Sequence, residues 1–236
     1  MNIVAKLKNI YLSVTDSKAE SRALLRLIGN HAAYDAKVLD VGCGFGRILD
    51  CLLSGGYRNI KGVEINPETV RANQLRGLDC VTVDEFNRTE GQFDVILMSQ
   101  IIEHFLPEAL RDFIDAYLDR LVPGGILVIA TPLLTEYFYD DFDHIKPYSP
   151  TSILQVFGER KAQIQYYSRN KVRLNDLIYR RSHFRPSFFR GIYLKGLPYY
   201  LLKGVTFLSA IAYHLSFGFI GKKDGWIGVF QKTQAH

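Results

Sequence analysis

Residues 38–46 read V-L-D-V-G-C-G-F-G, a short β-branched run that ends in three glycines. Such a run predicts a strand that turns tightly into a helix, because glycine adopts backbone dihedrals that other residues avoid. Gly42, Gly44 and Gly46 would also let a ligand lie against the backbone. Glu64 ends the next apolar run, where a carboxylate can accept both hydroxyls of a ribose. Together the two features predict a site for a nucleoside cofactor.

The glycine spacing separates two classes of cofactor. The dinucleotide fingerprint is G-x-G-x-x-G, in which the amides of a helix N-terminus bind a pyrophosphate. Here the spacing is G-x-G-x-G, and Asp40 lies two residues before the first glycine. A carboxylate at that place would repel a pyrophosphate, whereas it suits a ligand that carries an ammonium and a sulfonium. The spacing therefore disfavours a nicotinamide dehydrogenase.

The run D-V-G-C-G-F-G followed by V-E-I-N resembles the class I S-adenosylmethionine-dependent methyltransferases. Q-F-D-V-I-L-M-S at 92–99 is similar to the fourth strand of that fold, and L-V-P-G-G-I-L-V-I-A-T-P at 121–132 is similar to its fifth. D-F-D-H-I-K-P-Y-S-P-T-S-I-L at 141–154 resembles a segment of the type 11 and 23 branch, which acts on small molecules and glycans. The resemblance extends over residues 38–157, about half of the chain.

The resemblance implies an α/β fold, S-adenosyl-L-methionine as cofactor, and binding roles for residues at strand ends. The fold is a Rossmann-like, mostly parallel sheet of seven strands with helices on both faces, an antiparallel last strand and a helical insertion between strands six and seven. Glu64 would bind the ribose, with Ile65 against the adenine. Asp84 would contact the adenine amine, with Glu85 as the alternative. The residues implied to face the methionine moiety are Asp40, Gly42, Cys43, Gly44 and Gly46. The residues implied to lie beside the sulfonium are Ser99 and Gln100.

The residue pattern supports the same fold independently, because apolar strands and helices alternate along the chain, as in a parallel sheet covered on both faces. We predict a first helix through 23–28, with Asp16 or Ser17 as its cap. The predicted strands are 37–41, 59–65, 80–83, 93–98, 126–130, 162–167 and 226–231. The predicted helices are 47–53, 67–76, 107–121 and 151–157. In such sheets, ligands bind at the carboxyl ends of the strands.

The bulk composition indicates a single domain over residues 1–236. The three cysteines have no metal-ligand spacing, which is typical of a reducing compartment. The first residues show no convincing signal peptide. We therefore expect a cytoplasmic protein.

A basic and hydrophobic insertion is predicted over 169–225. Residues 158–203 carry 11 Lys/Arg against 2 Asp/Glu, whereas residues 1–157 carry 15 against 21, so an anionic partner is expected. Residues 197–221 are long enough to span a membrane, but Lys203 and His214 interrupt them. If the last strand rejoins the sheet, both ends of the insertion lie on the same side of the bilayer, and a single membrane crossing is then impossible. The remaining interpretations are a helical lid or dimer surface, a peripheral membrane contact through 180–221, or a contact with nucleic acid.

His104 and His144 are the candidate catalytic residues, since each follows a predicted strand on the expected substrate face. A base helps when the acceptor is a sugar hydroxyl, whose pKa is far above 7. The acidic run of Asp140, Asp141 and Asp143 is continuous, so we expect it to be solvated and predict no metal.

The predicted function is O-methylation of a glycan or lipid-linked small molecule. The alternatives are methylation of a quinone or other aromatic metabolite, and a non-catalytic cofactor-binding scaffold. Nucleic acid is disfavoured as acceptor, because the place after strand four reads M-S-Q-I and lacks the Asp/Asn-Pro-Pro-aromatic run of amino-methylating DNA enzymes.

Overall fold

The computed structural model describes residues 18–160, 163–186 and 190–233. The strands are β1 Val38–Val41, β2 Ile60–Glu64, β3 Cys80–Thr82, β4 Phe93–Ser99, β5 Leu121–Pro132, β6 Val172–Ser182 and β7 Lys222–Lys232. The helices are α1 Lys18–His31, α2 Arg47–Ser54, α3 Pro67–Leu75, α4 Val83–Asn87, α5 Pro107–Leu118, α6 Pro150–Phe157 and α7 Leu197–Leu215.

The seven strands form one mixed sheet in the order β3-β2-β1-β4-β5-β7-β6. The pairs β3-β2, β2-β1, β1-β4 and β4-β5 are parallel, which places the carboxyl ends of β1, β2 and β4 at one edge. β7 runs antiparallel to β6, because Thr233 donates its backbone N–H to Lys171 O (2.9 Å) while Arg173 contacts the Gln231 side chain (3.0 Å). The predicted mostly parallel seven-stranded sheet with an antiparallel last strand is confirmed.

Both faces of the sheet are buried under helices. Along β4, Val95 and Leu97 face one apolar cluster, whereas Ile96 and Met98 face the other. This alternation follows from the two-residue period of a strand and explains why β4 is apolar throughout. α1 and α2 contribute leucines to the first cluster, and α5 and α6 contribute to the second. The core therefore leaves the strand ends as the place for polar chemistry.

The predicted position of the sixth strand is wrong. Residues 163–167 form no strand, and β6 instead spans Val172–Ser182. β6 lies at the edge of the sheet. Charged side chains on an edge strand hinder pairing with a further strand. Because β6 carries such charged residues, its sequence lacks the apolar pattern that is typical of a strand. The span 169–225 is consequently not helical throughout: among its described residues, α7 and a short 3₁₀ helix at Arg190–Ile192 lie between β6 and β7. The predicted caps Asp16 and Ser17 lie outside the described residues.

The chain divides into two compact units. Among the described residues, the larger comprises 21–160, 163–178 and 226–233, and contains the glycine loop and most of the sheet. The smaller comprises the described residues 18–20, 179–186 and 190–225, which include the end of β6, α7 and the start of β7. Within it, Arg180 pairs with Asp224 (3.0 Å), and the Tyr213 hydroxyl donates to Arg181 O (2.9 Å). Across the residues that the structure describes, no helix is both long and apolar enough to cross a membrane.

Candidate active site

The loop from β1 to α2 is built on three glycines with left-handed backbones: φ is 67° at Gly42, 51° at Gly44 and 75° at Gly46. A side chain at Gly42 would collide with Ile101, and one at Gly46 would come within 2.5 Å of Leu78. Gly44 differs, since a Cβ there would meet nothing within 4 Å. The loop is therefore packed on both flanks and open at its centre, where a ligand can approach the backbone.

Glu64, at the end of β2, holds this loop through its carboxylate. Its Oε2 accepts the backbone N–H of Gly44 (3.0 Å), and its Oε1 accepts that of Asn66 (3.0 Å). Each carboxylate oxygen has a further lone pair, so both can still accept a ribose hydroxyl. Ile65 follows with 81% of its surface exposed, as expected of a side chain that covers a flat ring. These positions fit the predicted ribose and adenine contacts.

Asp40 lies under the loop, and its carboxyl is almost fully buried. Burial raises the pKa of Asp40 to about 7; the positive charge of Arg47 lowers this pKa, and the negative charge of Glu64 raises it. Its Oδ2 has no hydrogen-bond partner among the described residues. An unpartnered buried acceptor is costly, so the group fits a cationic donor such as the ammonium of S-adenosyl-L-methionine.

The structure modifies the expected roles of two predicted cofactor residues, Cys43 and Asp84, and of Glu85, the alternative to Asp84. The thiol of Cys43 points inward to Cys80, with 3.4 Å between the sulfurs, and burial raises its pKa, so only its backbone is available to a ligand. β3 ends at Thr82, and Asp84 lies exposed in the first turn of α4. Glu85 accepts the backbone N–H of Thr82 (2.8 Å) in a capping box, which leaves Asp84 as the freer carboxylate.

The end of β4 places Ser99 and Gln100 at the carboxyl edge, beside the glycine loop on β1. Ser99 is buried, and the backbone N–H of Gln100 donates to Ala130 O (2.8 Å). Gln100 has φ of 59°, a left-handed conformation that non-glycine residues rarely adopt. Strain of this kind concentrates at functional sites. The position of Ser99 and Gln100 beside the reacting group stays a prediction.

The loop after β5 folds back onto the turn after β4. The carbonyl of Glu103, in the 3₁₀ helix Ile102–His104, accepts the backbone N–H groups of Ile145 (2.9 Å) and Lys146 (3.2 Å). These two bonds bring His144 beside His104, with 5.0 Å between the ring centroids. The two predicted catalytic residues, far apart in sequence, therefore belong to one cluster.

Backbone carbonyls determine the tautomer of both rings. His104 Nδ1 lies 3.0 Å from Asp143 O, and His144 Nδ1 lies 2.7 Å from Phe138 O. Because a carbonyl only accepts, each Nδ1 carries the proton and each Nε2 keeps a lone pair in the neutral ring. An open hollow of about 570 Å³ adjoins the pair and is lined by His104, Phe142, Asp143 and Ile145.

Glu103 and Thr131 are site residues that the sequence analysis did not select. The Thr131 hydroxyl donates to Glu103 Oε2 (2.9 Å), and both side chains are fully buried. Burial raises the pKa of Glu103, although Thr131 and the two neighbouring histidines lower it. Their positions in the sequence could have indicated them, since Thr131 lies near the carboxyl end of β5 and Glu103 follows β4.

The chain is similar to known methyltransferases. A model of the methyltransferase-domain family matches residues 16–170. The N-terminal Xaa-Pro-Lys N-methyltransferase 1 of Xenopus tropicalis is 28% identical over 142 residues, which cover 56% of this chain and 63% of that protein. The ubiquinone biosynthesis O-methyltransferase of Psychrobacter arcticus is 30% identical over 106 residues, 40% of each chain. The crystal structure of a SAM-dependent methyltransferase from Archaeoglobus fulgidus has a TM-score of 0.58 at 18% identity, over 96% of this chain and 99% of that one.

The chain spans less than two thirds of the length of these curated relatives. The structural neighbour establishes the fold, while the family match extends over more than half of the chain and includes the glycine loop, Glu64 and both histidines. On these grounds the chain belongs to the class I S-adenosyl-L-methionine-dependent methyltransferases.

Proposed function

We propose that this chain transfers the methyl group of S-adenosyl-L-methionine to an oxygen of a glycan or lipid-linked small molecule. The observation that carries the proposal is the histidine pair, whose Nδ1 protons are held by backbone carbonyls so that each Nε2 keeps its lone pair. A sulfonium methyl is already activated, so the protein mainly has to align the acceptor and exclude water. A hydroxyl acceptor adds the need for a group that orients or deprotonates it.

In the proposed reaction the acceptor oxygen attacks the methyl carbon while the carbon–sulfur bond breaks. S-adenosylhomocysteine leaves, and the hydroxyl proton is lost on the histidine side of the site. His144 is the favoured acceptor-orienting group, because its Nδ1 contact is the shorter of the two and it lies on the loop after β5. His104 lines the adjoining hollow and would contact the acceptor beside it.

A membrane surface is the proposed location of the acceptor, at its cytoplasmic face. In the smaller unit, α7 exposes Leu201, Val205 and Leu208, and the chain beyond it exposes Phe217, Phe219 and Ile220. No Asp or Glu occurs between Leu177 and Lys223, while arginines and lysines recur through the same stretch. Exposed apolar side chains with a surrounding excess of bases suit anionic headgroups and the acyl boundary beneath them.

A vesicle experiment tests the membrane contact through residues 180–221. The full chain should sediment with vesicles that contain anionic lipid, and the double variant Leu201→Glu/Leu208→Glu should remain in solution. Leu75→Glu is the matched control, because Leu75 is also exposed on a helix but lies in the larger unit. Equal sedimentation of the three proteins would refute this contact.

The second candidate acceptor is a quinone or another aromatic metabolite. It is favoured by the exposed ring of Phe142 at the edge of the hollow, and by the likeness to a ubiquinone biosynthesis O-methyltransferase. A non-catalytic scaffold, by contrast, would bind the cofactor and transfer no methyl group to any extract.

Transfer of labelled methyl into a lysate of the source organism separates these functions. Label in the organic-soluble fraction is expected for a lipid-linked acceptor or a quinone, and mild acid hydrolysis then distinguishes a sugar-bearing lipid from a quinone. Label only in the aqueous fraction would refute the lipid assignment, and nuclease treatment would then test nucleic acid. Cofactor binding without any transfer would refute the enzymatic function.

A further inference from the structure

Glu103, His104 and His144 form a cluster whose ligand-type atoms converge. One carboxylate oxygen of Glu103 and one ring nitrogen from each histidine lie within 4.8 Å of one another. Metal–nitrogen bonds are about 2.0–2.1 Å long, so atoms that share one ion stand about 3–4 Å apart. The 4.8 Å limit is wider than that, so the three side chains would have to approach one another to share an ion.

The Glu103 carboxylate can bind a cation through one of its two oxygens. Its side chain is 0% exposed, its Oε2 accepts the Thr131 hydroxyl, and its Oε1 has no hydrogen-bond partner among the described residues. A buried carboxylate oxygen without a donor is unfavourable, and a bound cation would offset this cost.

Both histidines have the outer contacts that metal-binding histidines have. A ligating ring usually donates its second nitrogen to a carbonyl or carboxylate, which orients the ring and makes the ligand more basic. The Asp143 and Phe138 carbonyls provide these contacts at 3.0 and 2.7 Å, and they leave Nε2 of each ring as the ligand atom. The backbone bonds from Ile145 and Lys146 to Glu103 O hold the loop of His144 against the segment that carries the other two residues.

We propose that Glu103, His104 and His144 bind one divalent first-row transition-metal cation. Two imidazoles and one carboxylate favour an ion such as Zn²⁺, Mn²⁺ or Fe²⁺ over Mg²⁺ or Ca²⁺, which prefer oxygen ligands. Three protein ligands leave positions open for a substrate oxygen, as in catalytic rather than structural sites. The site differs from the run of Asp140, Asp141 and Asp143 considered in the sequence, although Asp141 Oδ2 lies 3.7 Å from His144 Nε2 and adds negative charge nearby.

The inference rests on the proposed function and deepens it, because it assigns how the histidines act on the acceptor. The cation binds the acceptor hydroxyl and lowers its pKa, and the proton passes to water. The oxygen then attacks the methyl carbon as the carbon–sulfur bond breaks. The histidines orient the acceptor through the cation rather than taking the proton themselves. An acceptor with two neighbouring oxygens, such as a sugar diol or a catechol, would fill two open positions.

Cobalt binding to the full chain provides the test. Co²⁺ is titrated into chelator-treated protein and followed by visible absorption, a readout that needs neither methyl donor nor acceptor. The chain should bind one Co²⁺ through nitrogen and oxygen ligands. Loss of an outer contact of a metal ligand already weakens affinity by about 10–100-fold. His144 and Glu103 are direct ligands in this proposal, so His144→Ala and Glu103→Gln should weaken binding by about 100-fold or more. Glu103→Gln keeps the shape and an acceptor for Thr131, which protects the fold.

His31→Ala is the matched control, because His31 also lies 3.5 Å from a carboxylate, that of Asp176, but lies outside the cluster. It should bind Co²⁺ as the unchanged chain does. Absence of Co²⁺ binding, or equal binding by the cluster variants, would overturn the inference. Methyl transfer that persists in chelator-treated protein would then leave the proposed function standing. Conversely, Co²⁺ binding that is lost in the cluster variants would support the site even if no extract accepts a methyl group.

Discussion

The burial of Asp40 predicts that cofactor binding depends on pH. With a pKa of about 7 in the protein without cofactor, the carboxyl is largely neutral below pH 7 and cannot attract the ammonium of the cofactor. Affinity should therefore rise with pH and level off above about pH 8. An exposed carboxylate with the ordinary pKa of 3.8 would stay ionised throughout, so cofactor affinity would then not change with pH in the neutral range.

The magnitude follows from the ionised fraction of Asp40. If only the ionised form binds, the dissociation constant should be about twofold above its limit at pH 7, about 11-fold above it at pH 6 and about 100-fold above it at pH 5. From pH 8 to pH 6 this amounts to about 1.4 kcal/mol of binding free energy.

Isothermal titration calorimetry with S-adenosyl-L-methionine tests the prediction. Near pH 6, binding should release the Asp40 proton, and the measured binding enthalpy should therefore change between buffers of different ionisation enthalpy. Asp40→Asn should remove the pH dependence and weaken binding at pH 8 by about 1.5–3 kcal/mol, the value of a hydrogen bond to a charged group. A flat affinity profile from pH 5.5 to pH 8 in the unchanged chain would refute the placement of Asp40 against the ammonium.

The raised pKa of Asp40 also predicts how the stability of the folded protein depends on pH, and this can be measured without the cofactor. A carboxyl whose pKa is raised on folding destabilises the folded state as pH rises from its unfolded value to its folded value. The window here runs from 3.8 to about 7. The effect of Asp40 over this window is on the order of 4 kcal/mol, and Asp40→Asn should be the more stable protein at pH 8. Chemical denaturation of both proteins at pH 5 and pH 8 measures the difference.

Three further predictions concern the loop, the ribose contact and the acceptor side. Gly44→Ala and Gly77→Ala should destabilise the fold similarly, by about 1–2 kcal/mol, because both glycines are left-handed with open space beside them. Only Gly44→Ala should prevent cofactor binding, and equal affinities would show that no ligand lies there. Glu64→Ala should weaken cofactor binding by about 1.5–3 kcal/mol, and unchanged calorimetric affinity would exclude the ribose contact. His144→Ala should lower turnover while cofactor affinity stays nearly constant; undiminished turnover would remove this residue from the acceptor side.

Prediction from the sequence succeeded where local backbone preference and periodicity carry the information. The strand–glycine–helix transition at 38–54 follows from residues that are adjacent in the chain, and the alternation of elements through Phe157 is confirmed. It failed at the sixth strand, because 162–167 alternates in the manner of a strand whereas β6 is polar and charged. An edge strand such as β6 pairs with only one neighbouring strand, so its residues carry less information about strand pairing than those of a central strand do.

The sequence alone determined the order of the strands and main helices up to residue 157, the shape of the glycine loop and the acidic residues at the strand ends, since each depends on neighbours a few positions away. Only the tertiary structure decided what surrounds Asp40 and what joins His144 to Glu103. The raised pKa of Asp40 arises from burial beneath packed elements, and the cluster depends on two backbone bonds between loops some 40 residues apart. Burial and long-range hydrogen bonding are properties of the assembled fold, and they set the chemistry of groups whose identities the sequence had already shown.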